Sequence, residues 1–386
     1  MKDPISITGM GSISPLGSDL ETIWNAYLSG QTCIQTREFE GVETIIGALN
    51  DAQEKELLEV QESTSHYKNV DKTVLMAVFA ARKAIQQSGW IKGSDFGINM
   101  GSSRGATELF EKYHSEFVAT GKTATLSSPT TTLGNISSWI ANDLLAQGPE
   151  ISHSITCSTA LHSVLNGVAW ITSGLTDKFM VGGSEAPLTP FTVAQMKALK
   201  IYSQDVKSDY PCRTLDYTKT KNQMFLGEGA SVFCLEKGNV SNAIAQITGV
   251  GYATEILKHN ISISTNADCF QKSMKMALGD LPNNAIDAIV MHSPGTIKGD
   301  VSEYNAVKAV FGNDTPFLTG NKWKIGHSFG ASGALSLELA VLMLLNQQII
   351  SIPFIKGQDF PKSYRHILVN AVGFGGNAVT IRVSKV

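Results

Sequence analysis

The chain has 386 residues, 42% of them hydrophobic and 17% charged, enough to bury a large core in one big α/β unit or in two or three domains. Its formal net charge of -3, with no long charge block, gives no global field that would favour nucleic acid or an anionic membrane surface. The five cysteines (Cys33, Cys157, Cys212, Cys234, Cys269) lack metal-ligand spacing, and the opening nine residues lack the apolar run of an export signal, so reduced thiols in a cytoplasmic protein are expected.

Short β-branched runs alternate with longer helical periods, the pattern of an α/β fold. Residues 5–8 read as a strand that gives way to a glycine-rich turn, and residues 20–29 as a helix with Ile23, Ala26 and Tyr27 on one face. Residues 73–88 form a strong helical pattern, with Leu75, Val78, Ala81 and Ile85 recurring at three- and four-residue steps. A strand over 96–100 and helices over 106–117 and 135–145 follow. A strand over 151–156 is expected to run directly into Cys157, with a helix over 160–173 after it. Strands over 179–183 and 230–235 complete a first set.

A second set begins near Lys237. It has a strand over 245–252, a helix over 269–278, a strand over 288–292 ending in a histidine and a helix over 304–311. An apolar helix over 333–345 and strands over 367–370 and 379–383 close it. Two similar units, 1–237 and 238–386, are therefore expected, although no repeat stands out in the sequence. The most apolar stretch, 334–345, is too short to span a bilayer and carries Glu338, so no membrane span is expected.

Three turns have the residues for chemistry. In Ser154-Ile155-Thr156-Cys157-Ser158-Thr159, a cysteine stands between a strand end and a helix start. Free N–H groups there favour a thiolate and could hold an oxyanion, yet a buried cysteine beside a Ser/Thr cap fits the local pattern as well. His292 precedes the Ser293-Pro294-Gly295-Thr296 turn, and His327 follows Lys322-Trp323-Lys324-Ile325-Gly326. Two histidines at element ends and one cysteine describe a nucleophile with polarising partners. His66, His114, His259 and His366 read as surface or capping residues, and His162 as a brace for the cysteine turn. Gly373-Phe374-Gly375-Gly376 allows close backbone approach to a ligand, or is an ordinary turn. Gly101-Ser102-Ser103-Arg104-Gly105 matches the G-x-S-x-G of serine hydrolases, which makes Ser103 a competing nucleophile. Gly9-Met10-Gly11 falls short of a dinucleotide loop, since Pro15 stands where a helix should run.

In order along the chain these features resemble the β-ketoacyl-acyl carrier protein synthases of the thiolase-like superfamily, in the synthase I/II branch. The residues that carry the likeness are Thr22-Ile23-Trp24-Asn25-Ala26, Cys157-Ser158-Thr159 with His162, Arg213 with Asp216, Gly227-Glu228-Gly229-Ala230, His292 with Gly299-Asp300, Lys322 with His327, Gly330-Ala331 and Gly373-Phe374-Gly375-Gly376. The resemblance implies an α/β, thiolase-like five-layered αβαβα sandwich of two similar halves, and a dimer. It implies that Cys157 carries an acyl group as a thioester, and that the N–H groups of Cys157 and Phe374 form the oxyanion hole. His292 and His327 would assist loss of CO₂ from a malonyl thioester, and Lys322 would tune their field. Phe374 would gate the acyl chain, with Thr296, Gly373, Gly375 and Gly376 against the substrate. No cofactor or metal is implied, since substrates arrive on the phosphopantetheine of an acyl carrier protein. The expected assembly is a homodimer, or a heterodimer with a related chain.

The synthase III branch pairs its cysteine with one histidine and one asparagine, and thiolases place a second cysteine where Phe374 stands here. Within the closer branch the chain departs at Val372, at Asn377-Ala378, and at Pro294 in place of a pantetheine-binding threonine. Ser336 replaces a glutamate, with Glu338 two residues on, and Gln204 replaces a docking arginine, with Lys207 nearby. These departures bear on substrate range and carrier docking, and suggest a specialised synthase for a polyene- or polyketide-like product. The competing assignment is a non-catalytic partner that shapes the product pocket of a paired synthase, like a chain-length factor; such partners usually lack the cysteine.

Overall fold

The computed structural model describes residues 3–133, 135–256, 263–361 and 364–386, so the expectation for His259 lies outside the described residues. The strands are β1 (Ile5–Ile13), β2 (Gln35–Phe39), β3 (Val42–Ile46), β4 (Gly97–Gly101), β5 (Glu150–His153), β6 (Lys178–Glu185), β7 (Gly229–Lys237), β8 (Ala245–Thr254), β9 (Ala288–Val290), β10 (Phe317–Thr319), β11 (His366–Gly373) and β12 (Asn377–Ser384). One sheet has the order β1-β7-β6-β4-β5 and the other β8-β12-β11-β9-β10, while β2 and β3 pair as a separate hairpin. In each sheet the first two contacts in that order are antiparallel and the last two parallel.

Helices cover both faces of both sheets, which is why β1, β4 and β9 are buried at every position. Helix Lys72–Ser88 packs on β1 and β7, and helix Asp268–Leu278 packs on β8 and β12. Helices Thr159–Thr172 and Ser332–Asn346 lie between the sheets, in contact with each other and with strands of both halves. The layer order is the expected αβαβα. Phe329–Asn346 is 18 residues long and apolar enough to cross a membrane, which corrects the shorter expectation, but 89% of it is buried inside the protein as the core helix.

The first strand of each half carries the same Ile-Thr-Gly-x-Gly pattern, Ile7-Thr8-Gly9-Met10-Gly11 and Ile247-Thr248-Gly249-Val250-Gly251. A Cβ on Gly9 or Gly11 would run into the carbonyls of Ala84 and Ala80, and one on Gly249 or Gly251 into those of Ala277 and Ser273. The glycines are there because a helix backbone lies directly on the strand. The glycine turn expected after residue 8 is therefore part of β1, and the chain turns instead at Ser14–Gly17, where Gly17 N donates to Ser14 O at 2.9 Å.

Other elements differ from expectation for local reasons. β5 stops at His153, so no strand runs into Cys157. Helix Ile297–Phe311 starts at residue 297 rather than 304, because Thr296 caps it by accepting from Gly299 N at 3.2 Å. The β2–β3 hairpin and helices Asp51–Glu62 and Pro190–Ala198 lack the apolar periodicity that would announce them.

Candidate active site

Past β5 the backbone leaves the sheet, and Thr156 adopts φ 48°, a costly conformation for a β-branched residue. A 3₁₀ turn, Thr156–Ser158, then leads into helix Thr159–Thr172. Ile155 N donates to Thr159 Oγ1 at 2.8 Å, which ties the turn to the helix start. Cys157 is buried on this turn. The second half repeats the arrangement beyond β10. His327 precedes a 3₁₀ turn, Phe329–Ala331, in which Phe329 has φ 39°, and helix Ser332–Asn346 follows. The two helix starts meet at Gly183, where a Cβ would lie 2.8 Å from the Ala160 side chain and 3.0 Å from Gly330 O.

Burial pushes the Cys157 thiol up to about 12; the buried Glu185 carboxylate adds to the rise, and Lys322 and Arg104 oppose it. Desolvation of the buried sulfur thus works against the thiolate that a helix N-terminus would favour.

His292 follows β9 and is fixed through its main chain. Its N–H donates to Glu303 Oε1 at 2.9 Å, and Ser293 N donates to Glu303 Oε2 at 2.7 Å. His327 N donates to Phe225 O at 2.8 Å. The two imidazoles stand edge to face with centroids 5.4 Å apart. Burial, then the charge of Lys322, hold both well below the ordinary histidine range, so both are neutral at pH 7. Lys322 is 2% exposed, and burial lowers it to about 8, with Glu303 as the main opposing charge. Lys322 Nζ and the Nδ1 atoms of both histidines are buried with no hydrogen-bond partner among the described residues. Unsatisfied polar groups of this kind are rare in a folded interior, and three of them in one place mark a site built for incoming chemistry.

Gly373 packs against the cysteine turn so closely that a Cβ there would meet Thr156 Oγ1, Ile155 O and Ser158 Oγ. That contact brings Phe374 beside Cys157, and the positive φ of Gly375 (97°) and Gly376 (73°) turns the chain back into β12. Cys157, His292, His327, Phe374, Thr296 and Gly373 line one cavity of about 670 Å³. Gly375, Gly376 and Lys322 are not in its wall, although the Lys322 charge is felt by both histidines. Met196, Leu199, Ile201 and Met224 line the cavity too, and no sequence motif singles them out, since they enter from the unannounced helix Pro190–Ala198 and the irregular chain after it.

Ser103 is not in the cavity wall. Its loop instead binds Glu185, which accepts from Ser102 Oγ at 3.0 Å, Ser103 N at 2.6 Å, Arg104 N at 3.0 Å and Gly330 N at 2.9 Å. His162 Nδ1 meets Ser158 O at 3.1 Å, bracing the turn as expected. His153, which no motif marks, bridges Asn99 at 2.9 Å and Thr159 O at 3.1 Å beneath the same turn. His66 and His114 are exposed, and His366 meets Ser384 Oγ at 2.7 Å. Ser336 Oγ donates to Asn321 Oδ1 at 3.4 Å, while Glu338 points to the other half and accepts from Ser12 Oγ. No group of three or more His, Cys, Asp or Glu placed to hold a metal occurs among the described residues.

The family descriptions "Beta-ketoacyl synthase, N-terminal domain" and "Beta-ketoacyl synthase, C-terminal domain" match residues 2–240 and 244–353. The 3-oxoacyl-[acyl-carrier-protein] synthase 2 of Vibrio cholerae serotype O1 is 25% identical over 408 aligned positions, covering 97% of each chain. Among solved structures, a ketosynthase in complex with its type II PKS acyl-carrier protein, bound to the hexaketide, is similar with TM-score 0.87 and 18% identity over 100% of both chains. The ishigamide ketosynthase/chain length factor is similar with TM-score 0.86 and 21% identity, over 100% of this chain and 99% of that one.

Proposed function

The chain belongs to the β-ketoacyl synthase family, and on that premise we propose that it joins an acyl group held on Cys157 to malonyl-acyl carrier protein, giving a β-ketoacyl-acyl carrier protein and CO₂. The observation that carries this reading is the convergence of Cys157, His292, His327 and Phe374 on one cavity, with Lys322 buried behind the histidines.

In the first half-reaction the Cys157 sulfur attacks the acyl thioester. The new S–C bond forms, the bond to the carrier's phosphopantetheine sulfur breaks, and the thiol proton ends on that departing sulfur. A neutral imidazole relays the proton, since neither histidine carries the second, charging proton at neutral pH and each keeps a free lone pair. The amides of Cys157 and Phe374 receive the oxyanion. In the second half-reaction His292 and His327 donate to the malonyl thioester carbonyl, and loss of CO₂ leaves an enolate that the two N–H groups stabilise. Its carbon attacks the acyl thioester, the C–C bond forms, and Cys157 leaves as thiolate and takes a proton from solvent. Lys322 supplies positive charge beside both histidines. No cofactor takes part, and a soluble, cytoplasmic setting suits work on carrier-bound intermediates.

We further propose a two-fold assembly. Helix Thr107–Thr120 buries none of its residues, and Phe110, Phe117, Val118 and the following Leu126 are all more than half exposed. Strand β5 is an edge of its sheet among the described residues. A second copy of the chain would cover this face, burying well over about 2,000 Å². Solved relatives described as a ketosynthase/chain length factor pair make a related chain the alternative partner. Sedimentation at micromolar concentration decides: a stable monomer that dimerises only with a related chain contradicts the homodimer. Retention of Cys157, His292, Lys322 and His327 favours the catalytic assignment over a chain-length-factor role.

Incubation with acyl-carrier and malonyl-carrier tests the reaction. The expected products are CO₂ and a carrier-bound β-ketoacyl chain two carbons longer than the donor. Absence of both across donors of every length, or activity that survives Cys157→Ala, contradicts it.

A further inference from the structure

The cavity opens to solvent between two stretches of chain, since its wall residues Leu199 and Lys298 are exposed while Cys157, His292 and His327 in the same wall are buried. Residues 222–224 run between those stretches and are bonded to both. Gln223 N donates to Gly295 O at 3.0 Å on one side, and Met224 N donates to Ile201 O at 3.1 Å on the other. Those are main-chain bonds, open to almost any residue. Asn222, itself a wall residue, makes the same connection with its side chain. Its Oδ1 accepts from Ile297 N at 3.0 Å, and its Nδ2 donates to Lys200 O at 3.1 Å.

Each bond meets a need of the group it reaches. Ile297 N lies in the first turn of helix Ile297–Phe311, where N–H groups have no partner within the helix. Lys200 has φ 56°, a costly conformation for a residue with a side chain, which persists only where its surroundings fix it. Neither Lys200 nor Lys298 forms an ion pair among the described residues, so no such pair ties the two sides together. An amide accepts at one atom and donates at the other, whereas an aspartate of the same size only accepts. We propose that Asn222 is a positioning residue, a clasp whose two hydrogen bonds fix the spacing of Leu199–Ile201 and Thr296–Lys298 at the cavity mouth. It acts on how the carrier's phosphopantetheine arm is bound on its way to Cys157, not on the sulfur itself. The inference rests on the reading of Cys157 as the residue that accepts the acyl group.

The test follows transfer of acyl groups from acyl-carrier to the protein by intact mass, over a range of carrier concentrations and of acyl lengths. In parallel it follows alkylation of Cys157 by iodoacetamide, which needs no arm. Asn222→Ala should raise the half-saturating carrier concentration roughly tenfold, as the loss of two neutral hydrogen bonds predicts. Its maximal transfer rate should fall by less than about threefold, and its alkylation rate should stay within about twofold of the unmodified protein. Asn222→Asp keeps the bond from Ile297 N but turns an oxygen toward Lys200 O, so half-saturation should rise several-fold. This variant decides the matter if Asn222→Ala fails to fold. An unchanged half-saturating concentration overturns the proposal, as does a maximal rate or alkylation rate that falls as much as binding does. If the unmodified protein takes no acyl group at any length, the acyl-transfer reading falls and the clasp with it; acyl transfer that Asn222→Ala leaves unaltered removes only the role of Asn222.

Discussion

The two halves share a strand order, a pairing sense and a G-x-G first strand, and they differ in what their equivalent turns hold. After β4 in the first half, the Ser102–Arg104 stretch binds the buried Glu185; after β9 in the second, His292 and Ser293 bind the buried Glu303. After β5 comes Cys157, on a strained turn at the start of a central helix, and after β10 comes His327, two residues before the strained Phe329 of the equivalent turn. One scaffold has thus been filled twice. In the proposed reaction, the first half supplies the group that forms a covalent bond, and the second supplies the N–H donors and the cation that stabilise charge. Substitutions at Cys157 and its supporting loop should accordingly weigh most on acyl transfer, and those at His292, His327 and Lys322 most on decarboxylation.

The largest effect expected from a positioning residue comes from Glu303. In Glu303→Gln the side-chain amide cannot accept from both His292 N and Ser293 N, so His292 moves, and decarboxylation should fall roughly 100-fold. Glu185→Gln disturbs the equivalent loop of the first half and should slow acyl transfer more than CO₂ release. Similar losses in both half-reactions from both variants would break the division.

A smaller effect is expected at Lys322. Its ammonium is present below about 8 and lost above it. The rate of CO₂ release should therefore decline as pH rises through 8. Lys322→Met should be roughly tenfold slower at neutral pH and should lack that alkaline limb. An unchanged pH profile in the variant would assign the limb to another group.

Phe374→Ala tests the gate. Acyl loading and chain preference should change several-fold with little change in melting temperature, because Phe374 is 42% exposed and contributes little to the core. Unaltered loading would remove Phe374 from the gating role.

The smallest effects on chemistry, and the best test of structural equivalence, come from the paired glycines. Gly11→Ala and Gly251→Ala each force a Cβ into a helix carbonyl, so each should destabilise by about 1–3 kcal/mol. A large loss in one half and none in the other would show that the halves are not packed alike.

Much of this was legible in the sequence. The strong period of helix Lys72–Ser88 and the β-branched runs identify the layers because they are buried on known faces. Cys157, His292, Lys322, His327 and Phe374 stand out by motif because each sits at an element end, and the structure brings all but Lys322 into one cavity wall. The repeat of the halves was also written there, in the two Ile-Thr-Gly-x-Gly stretches, but a glycine pair reads as a turn until a helix is seen lying on it. The cavity wall was not legible. Met196, Leu199 and Met224 are ordinary apolar residues, and helix Pro190–Ala198 has no clear amphipathic stripe. Nor was the burial that pushes the Cys157 thiol up, since segments distant in sequence supply it.

The most direct measurement follows CO₂ release from malonyl-carrier and acyl mass on the protein in the same samples, for Cys157→Gln, His292→Ala and His327→Ala. Cys157→Gln should carry no acyl group yet retain or exceed the CO₂ release of the unmodified protein, since its amide mimics the acyl-thioester. Each histidine variant should lose roughly 10²–10³-fold in CO₂ release while still acquiring acyl mass on Cys157. Normal CO₂ release from either histidine variant, or acyl mass on any cysteine other than Cys157, would contradict the division of labour between the halves.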